Sequence, residues 1–170
     1  RTLAEYDNFR KRSQREKEAT YGDAKANTLK TLLPVLDNFD RAAVALINND
    51  TSKAEKIESV EEVINFLNHG ITRHLVKINA LDLDYSDAKY IGRLFHVVND
   101  IERIGDHAVN LSEATNVRKS EKLAISDDAV TELETMRKCV VELLNASIDS
   151  FEKQELTLEE AKRIETLETA

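Results

Sequence analysis

Phe95-His-Val-Val-Asn-Asp-Ile-Glu-Arg-Ile-Gly-Asp-His-Ala-Val-Asn110 is the stretch whose reading decides the fold. At 100° per residue, Ile91, Leu94, Val97, Val98, Ile101, Ile104, Ala108 and Val109 fall on one continuous arc. Asn99, Glu102, Arg103, Asp106, His107, Asn110 and Glu113 fall on the other. The stretch is therefore one amphipathic helix. Glu102 and Asp106 are spaced i, i+4, which places two carboxylates one turn apart on one face. A bound cation would relieve that like-charge pair, and so would water and salt on a solvated face. Two details favour a ligand or a partner. No lysine lies between Lys89 and Lys119, so the face lacks the usual Lys/Glu mixture. Gly105 sits in mid-helix at a cost of ~1 kcal/mol relative to Ala, which points to close approach by another backbone, a ligand or a tightly crossing helix.

The surroundings are helical throughout. The 170 residues suit one domain or one and a half. Four Gly, one Pro, 41% hydrophobic and 33% charged residues describe an all-α chain. No run of about 18 apolar residues occurs, so nothing is expected to span a membrane. No signal-peptide pattern opens the chain, and Arg1 in place of Met is what a trimmed chain would show. Together these features suggest the cytoplasm. Cys139 is alone, which excludes an internal disulfide, and its place beside Val140 and Val141 suits a structural thiol. A net charge of −8 argues against nucleic acid as a partner. The charge is uneven: residues 1–25 carry net +2 and the remainder net −10.

Residues 1 to about 30 form a helix with only a thin apolar stripe (Leu3, Tyr6, Phe9, Ala19, Ala24, Ala26), which needs a partner helix or projects into solvent. Pro34 predicts a kink or restart near Leu33. Leu36, Phe39, Ala43 and Leu46 then mark a core helix to about Asn49. Ser52 with Glu55 reads as a capping box for the next helix. Its seam is Ile57, Val60, Ile64, Leu67, Ile71, Leu75 and Ile78. Ser86 is the expected cap of the signature helix, and 118–126 a second connection. Val130, Leu133, Met136, Val140, Leu144, Ile148 and Phe151 mark a fourth helix from Asp127, and Thr157 with Glu160 caps a fifth. At an offset of 107, Ala54, Ile57, Glu58, Val60 and Glu61 line up with Ala161, Ile164, Glu165, Leu167 and Glu168, a weak internal repeat.

The Phe95–Asn110 stretch, with Asn65-Phe-Leu-Asn-His-Gly-Ile-Thr-Arg-His-Leu-Val-Lys-Ile and Ser86-Asp-Ala-Lys, resembles PhoU-like domains over about 43–170. These are phosphate-uptake regulators that also occur as the cytoplasmic tail of sodium/phosphate cotransporters. The resemblance implies an antiparallel three-helix bundle over 34–118 and the start of a second repeat over 119–170. It also implies a non-enzymatic regulator that meets a phosphate transporter or sensor, and the membrane only through that transporter. Family metal clusters sit on Glu-x-x-x-Asp motifs. Carried over, these give Glu102 and Asp106, with Glu61 and Asn65 on the preceding helix, where Asn65 departs from the family's Asp. Oxygen donors would suit divalent or ferric ions such as iron, manganese, magnesium or zinc. Asn99, Arg103, His107 and Asn110 are then partner-contact positions.

The segment Leu3 to Glu18, continuing through Leu32-Leu-Pro-Val-Leu-Asp-Asn-Phe-Asp-Arg41, is similar to GrpE, the nucleotide exchange factors of DnaK-type chaperones. That resemblance implies that residues 1–33 are a long paired helix of coiled-coil type. No later segment has the alternating pattern of the family's small β domain. The two resemblances merge near Asp40 to Leu46, as in a natural mosaic, an engineered fusion or a sequence artefact. Three functions stay open: phosphate-uptake regulation, chaperone nucleotide exchange, and a scaffold keeping neither. A homodimer would cover the seams left open. No Glu-x-x-His, His-Glu-x-x-His, phosphate-cradling glycine loop or cysteine pair points to an enzyme.

Overall fold

A computed structural model describes residues 8–12, 34–81, 83–153 and 156–169. The expected N-terminal paired helix and the break near Leu33 fall almost wholly outside these. Residues 8–12 are helical and exposed. Among the described residues every regular element is a helix and none is a strand. Helix α1 covers residues 34–48. It is followed by a 3-10 turn at Thr51–Lys53, α2 at Ala54–Asn79, α3 at Tyr85–Ser120, α4 at Asp127–Lys153 and α5 at Leu158–Glu168. None of the described helices is long and apolar enough to cross a membrane.

The sequence seams are the packing seams. Val35, Ile64 and Ile101 form one buried cluster between α1, α2 and α3, with Val60, Val97, Ile104 and Ile148 against it. Ala42, Ile57 and Ala108 form a second. Leu75, Ile91 and Val98 form a third toward the α2–α3 turn. These pairings run α2 antiparallel to both α1 and α3, as short connections between neighbouring helices require.

Helix α1 carries more of the core than its single stripe predicted. Leu36 and Ala43 are buried, and so are Val35, Asn38, Ala42, Ala45 and Ile47. Asn38 is fully buried and satisfied: its amide donates to the Ile57 carbonyl at 3.0 Å, and its Oδ1 accepts from Arg41 at 3.0 Å. Burial on both sides follows from the return of α4, whose Arg137 pairs with Asp40 and whose Ile148 touches the first cluster. Helix α5 folds back on α4 through Arg163–Glu142 at 2.6 Å. Met136, placed on the α4 seam, is instead 63% exposed.

Two caps differ from expectation. The signature helix is capped by Asp84, in extended backbone, whose carboxylate accepts the Asp87 amide at 2.9 Å. Ser86 already lies inside the helix and donates to Asp84. Likewise, Ser52 and Glu55 form no capping box: Asp50 accepts the Ser52 amide and starts the 3-10 turn, and α2 begins without a side-chain cap. Asn49, in the left-handed region at φ 54°, ends α1. The Thr157/Glu160 capping box of α5 is present as read. Helix α3 runs through Arg118 to Ser120, beyond the expected start of the connection.

Candidate functional site

The register between α2 and α3 builds the site. A Cβ on Gly105 would stand 3.2 Å from Ile64 Cδ1. Glycine therefore lets the two helices approach where the polar residues sit. One turn before Ile64 is Glu61, and one turn around Gly105 are Glu102 and Asp106. Glu61, Asn65 and Glu102 are half-buried, while Asp106 is exposed.

Glu61 reports the field of the groove. Burial pushes its carboxyl above the ordinary range, and the negative charges of Asp106, Glu62 and Glu102 push it the same way. The Asn65 amide donates to Glu61 and opposes the shift. Glu61 thus feels both carboxylates of the signature helix, one of them exposed. Chemically the groove is an acidic cradle that would attract a cation or a basic side chain. It is not a ready-made ligand shell: among the described residues no three His, Cys, Asp or Glu side chains are grouped to hold a metal ion. Asn65 holds Glu61 by a hydrogen bond rather than adding a fourth charge.

Asn99, Arg103, His107 and Asn110 are all exposed on the outer face of α3. Arg103 reaches Asp100 at 3.9 Å, with both side chains about two-thirds in water. Such a pair is worth little to the fold, so this face is free for contacts. Sequence reasoning passed over Glu62, which adds to the charge around Glu61, and Val63 and Phe66, which lie off the α2 seam and stay 56% and 77% exposed. Two large apolar residues outside the three/four spacing were the available signal.

The helices that carry the groove, α1 to α3, coincide with a known family. Residues 34–115 match the PhoU domain. The match opens at Pro34 and closes inside α3, so it takes in Glu61, Asn65, Glu102 and Asp106. A PhoU homolog of the phosphate-specific transport system from Aquifex aeolicus is 28% identical over 84% of this chain and 62% of its own length. The chain is also similar to GrpE proteins. That of Clostridium beijerinckii is 32% identical over 72% of this chain and 56% of its own length. That of Clostridium tetani is 58% identical over 45 residues, which are 26% of this chain and 22% of the relative. The chain spans about half the length, or less, of these GrpE relatives. Both the PhoU-domain and the GrpE resemblances of the sequence therefore hold. No solved structure matches.

Proposed function

We propose that this chain is a non-enzymatic regulatory module of phosphate uptake, acting by contact with a phosphate transporter or sensor protein. The observation that carries the reading is the PhoU-domain match over residues 34–115, which takes in both helices of the acidic groove. The outer face of α3, with Asn99, Arg103, His107 and Asn110, is the contact surface, and the groove of Glu61, Glu102 and Asp106 sets its charge. The chain acts in the cytoplasm and reaches the membrane through its transporter. A metal ion such as iron, manganese, magnesium or zinc would be held by Glu61, Asn65, Glu102 and Asp106 after these side chains rearrange, since they are not grouped as a ligand shell. It would screen the three carboxylates and change what the groove attracts.

The test is phosphate uptake in cells lacking the gene, beside elemental analysis of the purified protein. Wild-type protein should restore regulated uptake, and Arg103→Glu should not while keeping its helical content. Uptake that stays unregulated with wild-type protein would refute the regulatory reading. Stoichiometric metal lost in Glu102→Ala/Asp106→Ala would establish the metal form. Equal and negligible metal in both proteins would remove it and leave the contact surface.

A second reading rests on the 58% identity to a GrpE protein. It predicts accelerated release of labelled ADP from a DnaK-type chaperone. An unchanged release rate at saturating protein would exclude it.

A further inference from the structure

Among the described residues nothing packs on the outward face of α2. Val63 and Phe66 are largely exposed there. Gly70 follows one turn later, and a Cβ on it would meet nothing within 4 Å. Apart from proline, glycine is the residue least suited to a helix interior. Gly105 has a reason in Ile64, but Gly70 has none among the described residues.

The charges on this face are ordered. Glu58 and Glu62 precede the apolar centre, and Arg73 and Lys77 follow it. With Phe66 and Gly70 they share a ~120° arc opposite the buried Ile57, Ile64 and Leu75. All four charged residues are exposed, and none has an ion-pair partner among the described residues. The spacing is palindromic. Glu58 with Lys77 and Glu62 with Arg73 are centred on the same point of the helix, between Leu67 and Asn68, and Phe66 with Gly70 is centred half a residue away, at Asn68.

From this we infer that the outer face of α2 docks on the same face of a second copy of the chain, antiparallel, about a two-fold axis at the level of Leu67–Asn68. A two-fold contact requires each residue of the patch to find its complement on the identical patch. Here Phe66 of each copy lies within one residue, about 1.5 Å along the axis, of Gly70 of the other, where the missing side chain leaves room for it. Glu62 meets Arg73 and Glu58 meets Lys77 on both sides of the axis. A parallel pairing would set acid against acid and leave the glycine unfilled. The paired positions run about 28 Å along the helix. Apart from Glu62, whose charge also acts on Glu61, this surface shares no residue with the groove or the outer face of α3, and the inference does not rest on the phosphate-uptake reading.

Directed cross-linking tests it in the full chain, in a Cys139→Ala background. Separately purified Glu58→Cys and Lys77→Cys proteins are mixed and oxidised. The disulfide between unlike chains should form in large excess over either protein alone, because two copies of one position lie about 28 Å apart. Adding Phe66→Asp to both chains should cut the product about tenfold or more, with helicity by circular dichroism unchanged. Glu62→Arg should weaken it and Glu62→Arg/Arg73→Glu should restore it, since the swapped charges meet again across the axis. Absence of any disulfide between unlike chains, no excess over like chains, or a product indifferent to Phe66→Asp would overturn the proposal. So would failure of the charge swap to restore it.

Discussion

Arg118 should be a main tie between the end of α1 and the end of α3. From near the end of α3 its Nη1 donates to the carbonyls of Leu46 at 2.6 Å and Ile47 at 3.1 Å, and its Nε donates to Leu123 at 3.3 Å. The first two acceptors belong to the last turn of α1, where carbonyls lack intrahelical partners. One cation therefore closes α1 and holds the turn after α3. Hydrogen bonds to a charged donor contribute about 1.5–3 kcal/mol each. The side chain is half-buried, one bond is long, and Leu46 also accepts from Asn49 at 3.3 Å. Discounting for solvent and sharing leaves about 2–3 kcal/mol for Arg118→Met, which keeps the aliphatic stem. At ~2–4 °C per kcal/mol this lowers Tm by roughly 5–10 °C. Arg118→Lys keeps the charge but cannot reach the two α1 carbonyls and the Leu123 carbonyl together, so it should recover only part of the loss. The assay is urea unfolding followed by helicity, with the slope m compared to detect any change in the unfolded state. A loss under about 0.5 kcal/mol for Arg118→Met, or a lysine variant as stable as the parent, would refute the reasoning.

Three further outcomes follow from the same geometry. Because the fold raises the Glu61 carboxyl above its ordinary value, it favours the protonated form; that contribution is full below the unfolded value and is lost as pH rises through the folded one. Glu61→Gln should therefore stabilise the protein at neutral pH and flatten its stability between mildly acidic and neutral pH. A Tm profile parallel to the parent's would contradict this. Glu160 behaves oppositely: the Thr157 backbone amide first, then the Thr157 hydroxyl and Lys153, hold its carboxyl at about 2. Its stabilisation of α5 is present above the ordinary carboxylate value and fades as pH falls toward 2; Thr157→Ala, which loses the hydroxyl but keeps the backbone amide, should remove only part of this pH dependence, and Glu160→Gln should abolish it, read by amide hydrogen exchange in α5. The glycines of α3 should differ. Gly92→Ala should stabilise by up to about 1 kcal/mol, since nothing lies within 4 Å. Gly105→Leu should cost roughly 1–3 kcal/mol, because Ile64 stands 3.2 Å from where its Cβ would be. Thermal melts of the two variants decide between them.

What the sequence made legible was whatever depends on spacing alone. Ile57, Ile64 and Leu75 on α2, and Ile91, Val98, Ile101 and Ala108 on α3, are buried as their periods require. The signal of Gly105 was also sound, and a crossing helix explains it. Caps were harder to read, because Asp84 and Ser86, or Asp50 and Ser52, offer similar side chains two residues apart. Which one caps depends on where the backbone leaves the extended region, and Asp84 does so at ψ 165°. The double burial of α1 was hidden for a different reason. It depends on α4 returning to Asp40, a contact 97 residues away in sequence. The carboxylate pair on α3 was visible in its spacing. That Glu61 shares its field required the α2–α3 register, which the family resemblance supplied and Ile64 against Gly105 fixes.

The attachment of α4 has a kinetic consequence. Among the described residues α4 and α5 contain no fully buried side chain, whereas α1, α2 and α3 hold the buried clusters. Within those three helices α2 packs against its neighbours along the chain, α1 and α3, and local contacts of this kind form fastest. The first three helices should thus form a cooperative unit as soon as Arg118 clears the ribosome, with α4 and α5 condensing on it afterwards. In the folded protein the same asymmetry makes the last two helices the first to open. A protease that samples transient opening should trim the chain from near Asp127 and leave the three-helix unit resistant.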